Sequence, residues 1–125
     1  MHSITANIAV ANAREALQFY MEAFNGEVIE YIETAQGCTH AQLKINTHTS
    51  LYLHDTPRSA TGSQIRLAIA LHDAAETESL FSALSMGGEV MLGLHQPSWT
   101  ELYGELRDQF GVLWSLDCGP GRDVP

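Results

Sequence analysis

Apolar and polar residues alternate in several short segments of the chain. Over residues 4–10 the apolar side chains fall on every second position, which is the period of a strand with one buried face. The same alternation, interrupted by glycine and polar turns, predicts further strands over residues 28–34, 38–45, 51–55, 64–71, 89–92, 100–107 and 112–118. The chain is therefore predicted to be rich in strands.

Two other segments follow the period of a helix. Between residues 13 and 24 one apolar stripe recurs at i, i+3, i+4 and i+7, formed by Leu17, Tyr20, Met21 and Phe24. A second helix is predicted over residues 73–86, where Leu80 and Leu84 anchor the stripe. Each half of the chain thus has the order strand, helix, three strands. Each helix is expected to cover one face of its sheet and to leave the other face free to enclose a cavity.

The two helical segments repeat the same sequence pattern. Both begin with an N-cap candidate followed three residues later by glutamate, which is the capping-box spacing; the pairs are Asn12 with Glu15 and Asp73 with Glu76. Both end in Gly-Glu-Val, where we expect Gly26 and Gly88 to stop the helices. The copies lie 61 to 62 residues apart in a chain of 125. This predicts a duplicated module, with a polar connector over residues 56–63.

Composition narrows the classes of function. The 15 acidic and 6 basic residues give a net charge of −9, which disfavours nucleic acid and anionic membrane surfaces as partners. The two cysteines, Cys38 and Cys118, lie in separate apolar segments and are interpreted as buried free thiols. We therefore expect a reducing, cytoplasmic setting. The sequence predicts neither a targeting peptide nor a membrane-spanning segment.

Three segments carry a resemblance to a known family. Ala-Arg-Glu-Ala-Leu-Gln-Phe-Tyr at residues 13–20, His-Ala-Gln-Leu-Lys-Ile at 40–45 and Asp-Gln-Phe-Gly-Val-Leu-Trp at 108–114 resemble signature blocks of the PhnB-like branch of the glyoxalase/bleomycin-resistance (vicinal oxygen chelate) superfamily. The resemblance implies an α+β fold in which tandem βαβββ modules form a curved mixed sheet around a small-molecule cavity, usually as a homodimer. We expect one domain over residues 1–125, made of repeats at about 1–56 and 64–118.

The resemblance also identifies where a metal ion would bind. Metal-dependent members of the superfamily take ligands, typically His and Glu, from the first and fourth strands of each module. The matching positions here are Thr5, Tyr52, Arg66 and Ser115. None of these is a usual ligand of a divalent catalytic metal, and a permanent cation at Arg66 repels one. We therefore predict no metal and no cofactor, and a shift of two residues that presented His54 would add only one ligand.

Strand alternation independently predicts a ligand-binding surface. The positions opposite the helix-facing Leu, Ile and Val residues form a polar, partly aromatic lining. The candidate ligand-binding residues from this lining are His40, Tyr52, His54, Arg66 and Ser115, and the resemblance adds Trp99, which stands where the family usually has an aromatic block ahead of its seventh strand. Arg66 could hold a carboxylate or phosphate, or pair with a carboxylate of the chain. His40 or His54 could transfer a proton or simply be hydrogen-bonded, and Trp99 could stack on a ligand or pack.

Three functions remain open at this stage. The absent metal ligands favour a metal-independent small-molecule-binding protein. The alternative is a vicinal-oxygen-chelate enzyme, a lyase, isomerase or ring-opening dioxygenase, which would use an unusual metal arrangement or acid/base residues such as His40. A third possibility is a subunit with an interaction role and no ligand.

Overall fold

The computed structural model describes residues 3–57 and 65–119. The chain divides into two compact units on either side of residue 60. We call residues 3–57 the N-terminal unit and residues 65–119 the C-terminal unit. Residues 58–63 of the predicted connector, and Gln64 at the predicted start of a strand, lie outside the described residues.

The N-terminal unit is a four-stranded sheet with one helix on one face. Its elements in chain order are β1 (Ala6–Val10), α1 (Ala13–Phe24), β2 (Glu27–Thr34), β3 (Gly37–Asn46) and β4 (Thr49–Asp55). The strand order is β1-β4-β3-β2, with β1 parallel to β4 and the other pairs antiparallel. The apolar stripe of α1 lies chiefly on β3 and β4, where Tyr20, Leu43 and Leu53 are fully buried.

The C-terminal unit repeats this architecture. Its elements are β5 (Leu67–Leu71), α2 (Ala74–Ser85), β6 (Glu89–His95), β7 (Leu102–Arg107) and β8 (Leu113–Cys118). The strand order is β5-β8-β7-β6, and α2 packs on β7 and β8 over a core that includes Leu84, Leu106 and Leu116. Within the described ranges no helix has the length and hydropathy needed to cross a bilayer.

The predicted α+β class and the order strand, helix, three strands are confirmed in both units. The predicted starts of the first strands were wrong, because Ile4 and Ile65 are 86% and 79% exposed and pairing begins only at Ala6 and Leu67. In both segments the apolar alternation begins two residues before the first residue that pairs with a neighbouring strand. The strand predicted over residues 89–92 is longer than expected, because His95 pairs with Tyr103 and ends β6.

The predicted N-caps are confirmed. The side chain of Asn12 accepts a hydrogen bond from the Glu15 backbone N–H at 3.1 Å, and the carboxylate of Asp73 accepts one from the Ala75 N–H at 3.1 Å. Each cap satisfies an amide that has no partner within its helix. The carboxylate of Glu15 accepts a bond from the Asn12 side-chain amide at 3.4 Å.

The role assigned to the repeated glycines was wrong. The left-handed residues that follow the helices are Asn25, at φ 54°, and Gly87, at φ 77°. Gly26 and Gly88 are instead places of close approach. A Cβ at Gly26 would lie 2.9 Å from the carbonyl oxygen of Lys44, and one at Gly88 would overlap the carbonyl oxygen of Arg107. Gly-Glu-Val recurs because the second strand of each unit starts against the backbone of the third.

Candidate functional site

Each sheet has one face against its helix and an opposite face, which we call the open face. The fully buried leucines Leu43, Leu53, Leu106 and Leu116 point toward the helices. The residues that alternate with them lie on the open faces, including the buried Leu113 of β8. The N-terminal open face carries Asn7, Glu30, His40, Gln42, Tyr52 and His54. The C-terminal open face carries Arg66, Tyr103, Glu105, Ser115 and Asp117. Both surfaces are polar and partly aromatic, as predicted.

Strand pairing relates the two open faces position by position. Tyr52 lies opposite Asn7 on β1 and Gln42 on β3, whereas Ser115 lies opposite Ala68 on β5 and Glu105 on β7. Tyr52 and Ser115 are therefore equivalent in the repeat. This is the register that we assumed in matching the fourth and eighth strands to the family's metal positions.

The four matched positions do not fit a catalytic metal. Three of them, Thr5, Tyr52 and Ser115, offer hydroxyl groups, and the fourth is a guanidinium. Arg66 already forms an ion pair with Glu105, with 3.3 Å between Nη2 and Oε1. In residues 3–57 and 65–119, no three His, Cys, Asp or Glu side chains are grouped so that they could hold a metal ion.

The N-terminal open face brings two of the predicted residues together. The rings of His40 and Tyr52 meet edge to face with their centroids 5.0 Å apart, and His40 Nε2 lies 3.2 Å from the carboxylate of Glu30. A carboxylate oxygen can only accept, so this contact requires that Nε2 carry the proton. His54 is separate from this pair and lies 2.9 Å from Asn7, between Nδ1 and Oδ1.

The C-terminal open face centres on Glu105. One oxygen of its carboxylate accepts a hydrogen bond from the Tyr103 hydroxyl at 2.6 Å, and the other pairs with Arg66. Burial raises the pKa of Tyr103, and the bond to Glu105 and the charge of Glu105 raise it further. A hydrogen bond with the Ser115 side chain and the positive charge of Arg66 act on this pKa in the opposite direction.

Aromatic rings border this cluster. Trp99 meets Tyr103 edge to face, with ring centroids 4.8 Å apart. His95 also meets Tyr103 edge to face, with ring centroids 6.4 Å apart. The indole is 50% exposed, although a tryptophan used only for packing is normally well covered. Arg66, Trp99 and Ser115, predicted separately, thus gather around one tyrosine. We call Arg66, Trp99, Tyr103, Glu105 and Ser115 the Glu105 cluster.

Sequence reasoning missed the two central residues of this cluster. Tyr103 and Glu105 occupy alternate positions of a strand that we had predicted, and they flank Gly104, which faces Phe81 of α2. Their alternation with Leu102 and Leu106 was the available signal.

Comparison with known sequences identifies the family. A sequence model of the Glyoxalase/Bleomycin resistance protein/Dioxygenase superfamily matches residues 2–116. The chain belongs to this superfamily. Uncharacterized proteins of Mycobacterium bovis and Mycobacterium tuberculosis are each 28% identical to it over 98% of the chain, and the match covers 86% and 76% of those proteins.

Solved structures of other proteins show the same fold. A PhnB protein from Bacillus cereus has a TM-score of 0.82 at 21% identity, covering 94% of this chain and 100% of that one. The protein PA1353 from Pseudomonas aeruginosa has a TM-score of 0.83 at 24% identity, covering 95% and 98%. The copper(II)-bleomycin complex of a bleomycin-binding protein from Streptomyces verticillus has a TM-score of 0.66 at 12% identity, covering 95% and 97%. The predicted fold and the predicted superfamily are confirmed, and a PhnB protein is among the structures that share the fold.

Proposed function

We propose that this superfamily member binds a small molecule at the Glu105 cluster and does so without a metal ion. The observation that carries the proposal is the contact between Arg66, Glu105 and Tyr103 on a sheet face turned away from its own helix, beside an exposed tryptophan. A bleomycin-binding protein with the same fold offers a precedent for small-molecule binding in the superfamily. Fold alone does not assign a ligand, so the chemistry must come from the cluster.

The cluster favours a planar ligand with an anionic or hydrogen-bond-accepting group. Glu105 contacts one nitrogen of the guanidinium, Nη2, and a guanidinium has five N–H donors in all. Trp99 and Tyr103 supply ring surfaces suited to a flat apolar body. Because Glu105 balances the charge of Arg66, a ligand carboxylate would be held by directed hydrogen bonds more than by net charge.

The chain contains its own reporter for this binding. Of its two tryptophans, Trp99 is exposed, whereas Trp114 is 2% exposed and donates its indole N–H to Asp108 at 2.8 Å. We expect benzoate to change the fluorescence of Trp99 in a saturable manner, and its neutral analogue benzamide to bind roughly tenfold more weakly. The response should vanish in Trp99→Phe and weaken in Arg66→Gln.

Lys44→Gln is the matched control, because it removes an exposed cation from the other unit. Equal affinity for benzoate and benzamide, or equal loss in the Lys44 and Arg66 variants, would refute recognition by the Glu105 cluster. Metal-independent binding also predicts that treatment with a chelator leaves the titration unchanged. Stoichiometric metal whose removal abolished binding would refute that part of the proposal.

A second candidate function is catalysis, as the alternative to pure binding. The observation that favours it is His40, whose imidazole lies against both Glu30 and Tyr52 on the N-terminal open face. An imidazole oriented by a carboxylate is suited to proton transfer near neutral pH. A lyase or isomerase activity, once found, should fall at least tenfold in His40→Gln and keep its rate in His48→Gln, which alters an exposed turn histidine.

We further propose a homodimer in the cytoplasm, with the two repeats acting as one domain. The outer strands β2 and β6 support the dimer, because Ile29 and Met91 at equivalent positions are 50% and 47% exposed. Two buried free cysteines are compatible with a reducing compartment. Sedimentation equilibrium should give twice the mass of one chain, and in Ile29→Glu it should give the mass of a single chain. A monomer in the unaltered chain would refute the dimer.

A further inference from the structure

A groove lies on the helix side of the N-terminal unit, away from the open face. It has a volume of about 390 Å³ and is formed by one side of α1 and one side of β2. Its lining residues are Arg14, Leu17, Gln18, Val28, Tyr31 and Glu33. We call it the α1–β2 groove. Its volume lies within the range of small-molecule sites in proteins, which is roughly 300–1,000 Å³.

The groove combines an apolar floor with two opposite charges. Leu17 and Val28 form the apolar part of the lining. Val28 is 37% exposed and offers more of its surface than Leu17, which is buried. Arg14 supplies a cation from the helix, and Glu33 supplies a carboxylate from the strand. Neither of the ion pairs found in the described part of the chain joins Arg14 to Glu33.

Hydrogen bonds orient the polar groups of the groove. The Tyr31 hydroxyl donates to Glu33 Oε1 at 2.7 Å, which holds the carboxylate beside the ring. This bond is the largest cause of a pKa for Tyr31 of about 12, so the phenol keeps its proton at neutral pH. The Gln18 amide donates to Glu22 at 2.9 Å, which turns its N–H group along the helix.

The repeat shows that the fold does not need these side chains. The C-terminal unit has Ala75 at the helix position that corresponds to Arg14, and Gly93 at the strand position that corresponds to Tyr31. A Cβ added at Gly93 would meet nothing within 4 Å. The same architecture therefore stands in the C-terminal unit without either residue. Arg14 and Tyr31 are therefore features of one copy and not requirements of the fold.

We propose that the α1–β2 groove binds a zwitterionic small molecule with an apolar side chain, of the class of free branched-chain or aromatic amino acids. Arg14 binds the carboxylate of the ligand, Glu33 binds its ammonium group, and the apolar side chain lies on Leu17 and Val28. An anion alone would meet the carboxylate of Glu33 and the net charge of −9, whereas a zwitterion satisfies both charges of the groove.

The test uses L-leucine and two analogues that each lack one charge. In calorimetric titrations, L-leucine is expected to bind, and both 4-methylpentanoate, which lacks the ammonium group, and L-leucinamide, which lacks the carboxylate, should bind at least about tenfold more weakly. Arg14→Gln and Glu33→Gln should each weaken leucine binding to a similar degree. Arg14→Lys, which keeps the charge, should recover part of it.

Two controls separate this site from other effects. Glu78→Gln changes an exposed glutamate on α2 and should leave leucine binding unchanged. Arg66→Gln and Trp99→Phe should also leave it unchanged, so that failure of this site and failure of the Glu105 cluster give different results. The proposal is overturned if leucine does not bind, if either analogue binds as tightly as leucine, or if Glu78→Gln weakens binding as much as Glu33→Gln.

Discussion

Removing the charge of Glu105 should destabilise the protein by an amount that the contacts of Glu105 define. In Glu105→Gln the ion pair with Arg66 is lost, and because the two side chains are 22% and 38% exposed, that loss costs about 0.5 kcal/mol. The 2.6 Å bond from Tyr103 changes from a charged to a neutral acceptor, which costs about 1 kcal/mol more. The free energy of unfolding should therefore fall by about 1.5 kcal/mol.

Urea denaturation at a fixed protein concentration measures this difference, and the midpoint should fall by roughly 0.7 M. Tyr103→Phe should lose only the stabilisation that comes from the hydrogen bond of its hydroxyl to Glu105. The double variant of Tyr103→Phe and Glu105→Gln should therefore lose less free energy of unfolding than the two single variants lose in sum. Glu101→Gln, an exposed glutamate just before β7, is the matched control and should change the midpoint little. A Glu105→Gln midpoint equal to that of Glu101→Gln would show that the Glu105 cluster is not formed in solution.

Three further predictions concern the stability of the fold. Gly88→Ala should lower the free energy of unfolding by about 2 kcal/mol, because the added methyl group overlaps the backbone of the neighbouring strand. Gly93→Ala should be neutral or slightly stabilising, because the methyl group enters open space, and denaturation midpoints in the reverse order would contradict both expectations. Asp55→Asn should lower the free energy of unfolding by about 2 kcal/mol. The two carboxylate oxygens of Asp55 accept hydrogen bonds from the backbone N–H groups of Ala13 and Cys38 at 2.7 and 2.8 Å, and the side-chain amide of asparagine would place a donor against one of these groups. An unchanged melting temperature would refute this prediction. The bond to Glu33 raises the pKa of Tyr31 to about 12, so this bond stabilises the fold fully below the usual tyrosine pKa of about 10 and is lost as the pH rises to about 12. A titration followed by tyrosinate absorbance should show a late step near pH 12 that is missing in Tyr31→Phe. Persistence of the late step in that variant would refute the assignment.

The architecture could be predicted from the sequence because it depends on periodicity and on a repeat. The helix predicted over residues 13–24 is α1 without change, and the caps at Asn12 and Asp73 bind amides as expected. Strand ends were less predictable, because pairing depends on what lies opposite. Ile4 continues the alternation but has no partner strand.

The candidate site was only partly predictable, for a related reason. Alternation places Arg66 and Ser115 on one face of a sheet, but it does not show which charged residue of another strand lies beside them. Glu105 became recognisable only when the register of β7 against β8 placed it opposite Ser115. The glycines were misassigned because Gly26 and Gly88 follow helices in sequence, whereas their function depends on the carbonyl groups of Lys44 and Arg107 across the sheet.

The most direct test of the central claim, binding at the Glu105 cluster, is a crystal structure of the protein grown with saturating benzoate. We predict electron density for the ring against Trp99 and Tyr103, with the carboxylate within hydrogen-bond distance of the Arg66 guanidinium and no metal ion between them. Benzoate density elsewhere on the protein, with the Glu105 cluster holding only solvent, would contradict the claim.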